Sequence, residues 1–313
     1  MKVITIGEVL VEVMRKDLDE PLDRPGDFVG PFPSGAPAIF ADAVSKLGAA
    51  SGIVGGVGDD RFGQCLQKRL ESDGVDLSCL KVVDELPTGV AFVSYFSDGS
   101  REFLFHMNNA AAGTIGKDDI SKDYVRNADM LHINGSSLAM GSDMKRACYE
   151  GVKIAREVGV KISFDPNLRT ELLGIEETRE ICGPVLDSCD LLIPGSDELA
   201  GIIGGDSEKE RAESVMSDGV ELVAVKDGSK GCRMYSQAGT STREALEVKE
   251  VDPTGAGDAF SAATAVGWLE GMEIDRLSLF ANTVGAIAVR QKGPMEGLRS
   301  REWVDELVTD HEN

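Results

Sequence analysis

The chain has 313 residues, a formal net charge of −22, and 42% hydrophobic against 27% charged residues. That length and apolar content describe a globular chain with a sizeable core, not a disordered or fibrous one. The acidity argues against nucleic-acid binding through a basic surface and against attraction to anionic lipid, and no apolar run approaches the roughly 18 residues of a membrane span.

The opening "MKVITIGEVLVEVM" is β-branched and interrupted by Glu8 and Glu12, so it reads as a strand and not as a secretory signal. "APAIFADAVSKLG" has helical spacing through Ile39, Phe40, Ala43, Val44 and Leu47, ended by Gly48. "GIVGGVG" reads as a strand and "DRFGQCLQKRLESDG" as a helix ended by Gly74. "MLHING" is a strand, and Ser142 is placed to cap the helix "DMKRACYEGVKIAREVG". "KISFD", "DLLIP" and "LVAVKDG" are short apolar strands. Such βαβ alternation predicts a parallel sheet with helices on both faces, with ligands beyond the carboxyl ends of its strands. Two segments break the rhythm. Residues 17–33 are rich in Pro, Gly and acids, and "TGVAFVSYFSDGSREFLFH" alternates like a hairpin turning at "SDGS". Both follow strands whose ends should line a site, which suggests a β lid.

The six cysteines are scattered without a CxxC pair, so neither a zinc site nor a disulfide framework is expected, and reduced thiols in the cytoplasm are the default. His106, His132 and His311 are too far apart for a local metal motif. No P-loop or G-x-S-x-G elbow occurs, and "GGVGDD" lacks the third glycine of a dinucleotide loop because Arg61 stands there. Arg276, Arg290, Lys292, Arg299 and Arg301 face a single acid, Glu296, within residues 276–301, a local relief from the overall acidity. The segment "EVDPTGAGDAFSAA" reads differently: "ALEVKEV" ends as a strand, Asp252-Pro253 turns, and the residues from Asp258 onward are helical. Gly255 and Gly257 would leave backbone N–H groups open at a helix N-terminus, where an anion binds. Asp258 is then either an acid in the first turn of a helix or a base for an attacking hydroxyl, and the spacing accommodates both.

"DPTGAGDAF" resembles the second signature of the PfkB (ribokinase-like) carbohydrate kinases, and Pro33 to Leu70, beginning "PSGAPAIF", is similar to the first. The resemblance runs through "SFDPNLR", "VKDGSKG" and "FANTVGAIAV" and so covers essentially the whole chain. It implies one kinase domain over residues 1–313, a three-layer α/β/α fold with a mostly parallel central sheet and a small β-sheet lid from about 10–33 and 88–108. Within the family the chain resembles the ketose and keto-sugar-acid kinases. The implied activity is ATP-dependent phosphorylation of a sugar hydroxyl, usually a primary one, with Mg2+ and in many members K+.

Carried over, Asp258 is the catalytic base, and Gly255, Ala256 and Gly257 form the anion hole. Glu12, Gly35, Ala36, Arg101, Asn109, Asp165 and Arg169 fall on the sugar side, with Asn108 beside them. Asn167, Lys226, Gly228, Gly231, Asn282 and Ala286 fall on the nucleotide side. Glu198 is the magnesium-linked acid, acting through water. Asp252, Thr254, Ala288 and Gly293 match positions around a monovalent-cation site.

Three residues depart from the pattern: Ile39 replaces a usual Asn, Gly195 replaces the Asn of an Asn-x-x-Glu stretch, and Glu12 replaces Asp. The expected substrate is tagatose or fructose, with 2-keto-3-deoxygluconate as the alternative, because Arg101 or Arg169 could meet its carboxylate. A non-catalytic sugar sensor would be favoured by loss of Asp258 or the glycines, and both are present. The exposed edge of such a lid is expected to pair two copies of the chain into a homodimer.

Overall fold

The computed structural model describes residues 1–107, 109–167 and 174–312. In chain order its strands are β1 (Lys2–Ile6), β2 (Leu10–Arg15), β3 (Phe28–Ser34), β4 (Ala50–Gly58), β5 (Val75–Asp76), β6 (Leu80–Val83), β7 (Gly89–Tyr95), β8 (Arg101–His106), β9 (Met130–Asn134), β10 (Lys161–Asp165), β11 (Leu191–Leu192), β12 (Leu222–Lys226), β13 (Cys232–Ser236) and β14 (Gly239–Arg243). Ten of them form one sheet in the order β14-β13-β12-β11-β10-β9-β1-β4-β5, with β6 also on β4. From β12 to β5 the pairing is parallel, and β13 and β14 add an antiparallel edge.

Successive side chains of a strand point to opposite faces, and β1 shows the result. Val3 enters one hydrophobic cluster, with the helices Ala36–Lys46, Ala256–Leu269 and Ile274–Ala288. Ile4 and Ile6 enter the other, with the helix Ser142–Val158. The architecture is therefore three-layered α/β/α and ribokinase-like. Spacing on the helix Ser142–Val158 predicts a stripe of Met144, Ala147, Cys148, Gly151, Ala155 and Val158; the first five are buried, Val158 is half-buried, and Gly159 ends the helix with φ +77°. Ser142 is the first residue of that helix; Gly141 holds the cap position, with no side-chain hydrogen bond.

The opening segment, expected as one strand, is two. β1 lies in the large sheet and β2 in a second, four-stranded sheet of order β3-β2-β7-β8. The break comes at Gly7, where a Cβ would stand 2.1 Å from Ser137 Oγ and 2.4 Å from Pro37 Cγ. The backbone there passes too close to its neighbours for any side chain, and the chain departs for the other sheet. Arg15, at the end of β2, is buried and donates to the carbonyls of Pro21 and Arg24, which gathers the irregular segment before β3. Residues 89–106 form the expected hairpin, β7 against β8 from Val90↔His106 to Tyr95↔Arg101.

"ALEVKEV" also differs from expectation. It belongs to no strand, since β14 stops at Arg243. The residue before it, Glu244, accepts from Asn282 Nδ2 of the helix Ile274–Ala288 at 2.6 Å, and its last, Val251, donates to Val289 O at 2.8 Å. His132 is a core residue: its ring stacks on Phe40 at 3.7 Å, and burial pushes it down to about 3, so it stays neutral.

Candidate active site

Four parallel strands end at one place. Glu8 follows β1, Ser136 follows β9, Asn167 follows β10, and Lys226 is the last residue of β12. All four line a cavity of about 320 Å3, the position expected for ligands of an open α/β sheet. The small sheet roofs it with Leu10 and Glu12 of β2, Ser34 of β3, and Arg101, Phe103 and Phe105 of β8. The helix Ala36–Lys46 and the Gly35 before it contribute Gly35, Ala36 and Ile39. Pro253, Thr254, Gly255, Gly257 and Asp258 complete the wall.

The turn before the helix Ala256–Leu269 sets the geometry of that wall. Gly255 holds the N-cap at φ +80°, and a Cβ there would meet Pro294 O at 2.4 Å. Only glycine suits both constraints. The helix begins at Ala256, two residues earlier than the sequence reading places it, so Asp258 is its third residue. Helical N–H groups of the first turn have no intrahelical partner, and here they belong to the glycine-rich segment. Asp258 is 9% exposed and accepts from Asn167 Nδ2 at 3.5 Å. Asn167 is held at φ +36°, in the left-handed region, with its N–H donating to Asp165 Oδ1 at 3.1 Å.

A second cavity of about 460 Å3 adjoins the first, and Lys226, Pro253 and Gly257 line both. Its walls are Gly228, Ser229 and Gly231, the segment Ala245 to Val248 with Glu250, and Ala256, Phe260, Asn282, Gly285, Ala286 and Val289. At Gly231, with φ +98°, a Cβ would lie 1.9 Å from Arg243 O.

Of the sugar-side expectations, Glu12, Gly35, Ala36 and Arg101 line the first cavity. Asp165 does not: it is fully buried behind Lys226, accepting from Lys226 Nζ at 2.5 Å and Ser261 Oγ at 2.8 Å. Asn109 is exposed at φ +60°, in a turn beyond β8. Arg169 and Asn108 lie outside the described residues. On the nucleotide side, Lys226, Gly228, Gly231, Asn282 and Ala286 line the second cavity, whereas Asn167 lines the first.

Asp252 is buried and spans two segments, accepting from Thr254 N at 3.0 Å and Gly293 N at 2.8 Å. Asp252 N donates to Val289 O at 3.1 Å, next to Ala288, so Asp252, Thr254, Ala288 and Gly293 are gathered locally. Thr254 Oγ1 shares a hydrogen bond with the Tyr95 hydroxyl, which ties β7 to this turn. Burial, with Asp252 and Glu12 nearby, raises the Tyr95 phenol far above its ordinary value and keeps it protonated. Glu198 lines neither cavity; its Oε2 accepts from Gly195 N at 2.6 Å at the start of the helix Ser196–Ile202. Among the described residues no group of three or more His, Cys, Asp or Glu could hold a metal ion by itself.

Sequence reasoning missed Glu8 as a site residue. It is 4% exposed, with Ser136 Oγ donating to one carboxylate oxygen at 2.8 Å and Ser137 Oγ to the other at 2.6 Å. Its signal was present: an acid directly after Gly7 in an otherwise apolar run. Ser34, which donates to Glu12 at 2.7 Å, and Met107 and Met140 carried no comparable signal.

Two joined cavities lie at the strand ends, with Lys226, Pro253 and Gly257 on their shared wall beside a glycine-rich helix N-terminus. The pfkB family carbohydrate kinase model matches residues 1–301, and the chain belongs to that family. It is a sugar kinase. Among its relatives, "Probable fructokinase-5" of Arabidopsis thaliana is 32% identical over 305 residues, covering 95% of this chain and 94% of that protein. "Fructokinase-2" of Oryza sativa subsp. japonica is 32% identical over 316 residues, covering 98% and 94%. A crystal structure from E. coli, described as a ribokinase II in complex with ATP and Mg2+, superposes with a TM-score of 0.93 at 38% identity, covering 99% of each chain.

Proposed function

We propose that this sugar kinase transfers the γ-phosphoryl group of ATP to a primary hydroxyl of a ketohexose, with fructose as the first substrate to test. The observation that carries this reading is the position of Asp258, in the wall of the first cavity and one residue from Gly257, which lines both. The sugar occupies the first cavity, where the Glu8 and Glu12 carboxylates accept from its hydroxyls. The nucleotide occupies the second, with its adenine among Phe260, Asn282 and Ala286 and its phosphates at the shared wall. The acceptor oxygen attacks in line as Asp258 takes its proton, and the N–H groups of Gly255, Ala256 and Gly257 stabilise the phosphoryl oxygens. A magnesium ion of this kind would be held mostly by nucleotide phosphates and water with one or two carboxylates, where it would offset phosphate charge; Glu198 would be its acid, through water. A potassium ion would use the turn that Asp252 organises, and activity in potassium against tetramethylammonium salts tests this.

Identity to two fructokinases supports fructose over tagatose. A sugar acid is the second reading, favoured by Arg101 in the cavity wall. ATP consumption measured with fructose, tagatose and 2-keto-3-deoxygluconate separates the three. In the preferred case Asp258→Asn keeps nucleotide binding and loses turnover by about 10²–10⁴; near-normal turnover would remove Asp258 from the reaction. The small sheet leaves Phe28 at 41% and Leu104 at 48% exposed, and two copies are proposed to pair there, which light scattering tests.

A further inference from the structure

Among the described residues, Lys226 is the one charged side chain on the wall shared by the two cavities; Pro253 and Gly257 carry no charge. Its backbone is fixed, with its N–H donating to Pro194 O at 2.8 Å in a bridge beside β12. The side chain is 18% exposed. Its ammonium lies 3.7 Å from where a Cβ on Gly257 would stand, over the bare backbone of the helix N-terminus. An ammonium has three donors, and the described contacts direct it to a single acceptor, Asp165 Oδ2, at 2.5 Å.

We infer that Lys226 is a catalytic residue that hydrogen-bonds the γ-phosphoryl group during transfer, with Asp165 as the buried anchor that positions it. The inference rests on the kinase reading and deepens it. In the reaction the acceptor oxygen forms its bond to γ-phosphorus while the bond from γ-phosphorus to the β–γ bridging oxygen breaks. The electron pair leaves on ADP and the acceptor's proton passes to Asp258. Lys226 gives up no proton; its remaining N–H groups follow the non-bridging oxygens from one cavity to the other. Burial opposes its charge, but Asp165 first, then Glu198 and Asp258, raise the ammonium above the ordinary lysine value, so it stays cationic. Ser261 Oγ shares Asp165 Oδ2 with the ammonium, at 2.8 Å, and Asn167 N donates to Oδ1 at 3.1 Å; both hold the anchor in place behind Lys226, which lines the shared wall.

A purely structural lysine, present to neutralise Asp165, would behave differently. Lys226→Met alone strands a buried carboxylate, so the decisive protein is the pair Asp165→Asn with Lys226→Met, which removes both charges. Its unfolding midpoint is expected near that of the wild type, with kcat on the preferred sugar down by about 10²–10³ and sugar KM within about threefold. Nucleotide affinity is measured by calorimetry with ADP and a non-hydrolysable ATP analogue. The pair should bind ADP as the wild type does and lose the increment contributed by the γ-phosphate. Retention of kcat within tenfold, or equal weakening of both nucleotides, would overturn the inference. If the wild type phosphorylates no sugar, the kinase reading fails instead, and the γ-phosphate increment still decides where Lys226 points.

Discussion

Replacing Asp42 by Asn should flatten the pH dependence of stability. Asp42 lies on the helix Ala36–Lys46, fully buried, with Arg69 Nη2 at 3.5 Å. Burial and a hydrogen bond to Asp73 push its carboxyl up to about 8, against the pull of Arg69. An unfolded chain releases this proton near pH 4, whereas the native protein keeps it until about pH 8. Between those values the native state binds more protons, so stability falls as pH rises, by about 1.4 kcal/mol per unit from this site. From pH 5 to pH 7 the loss is ~2.7 kcal/mol, and above pH 8 it levels off. Asparagine has no proton to lose, so the advantage of Asp42→Asn over the wild type should widen by that amount across the interval. Urea unfolding of both proteins at pH 5, 6 and 7 reads it directly. A constant difference would show that Asp42 is ionised in the native state and that the Arg69 pair outweighs burial.

Three further outcomes are expected. Gly255→Ala forces a β-carbon to 2.4 Å from Pro294 O at φ +80°, and should lower stability by at least about 1–2 kcal/mol and reduce kcat because the anion-binding turn must shift. Glu8→Gln should raise the sugar KM by about tenfold with the ATP KM unchanged, as one charged acceptor becomes a neutral amide; equal effects on both substrates would place Glu8 outside sugar binding. Tyr95→Phe removes the hydroxyl bound to Thr254 and should cost about 1 kcal/mol in thermal unfolding.

The layered fold was legible because βαβ periodicity is local: each strand and helix announces itself within a dozen residues. Membership of a sheet is not local. "VITIGEVLVEV" reads as one β-branched strand, yet it feeds two sheets, and at the break Gly7 is approached by Ser137 and Pro37 from other parts of the chain. "ALEVKEV" fails for the complementary reason: its composition suits a strand, but only a neighbouring strand could complete the ladder, and β14 ends before it.

Some site residues conflict with their surroundings, yet Glu12 and Lys226 were read from the family resemblance and Glu8 was missed. Glu8 and Glu12 are acids inside an apolar run, and Lys226 ends "LVAVK", a strand otherwise ready to be wholly buried. Each sits where burial would be costly unless something charged or polar is met. For Glu8 the serines after β9 supply part of that partner, and for Lys226 it is Asp165. Asp165 shows the limit of such reasoning. The resemblance carried by "SFDPN" places it on the sugar side, and nothing in its neighbourhood distinguishes a residue that reaches the cavity from one that holds another in place. That distinction depends on Ser261 and Lys226, 96 and 61 residues along the chain, and only the assembled sheet and helix bring them to the same carboxylate.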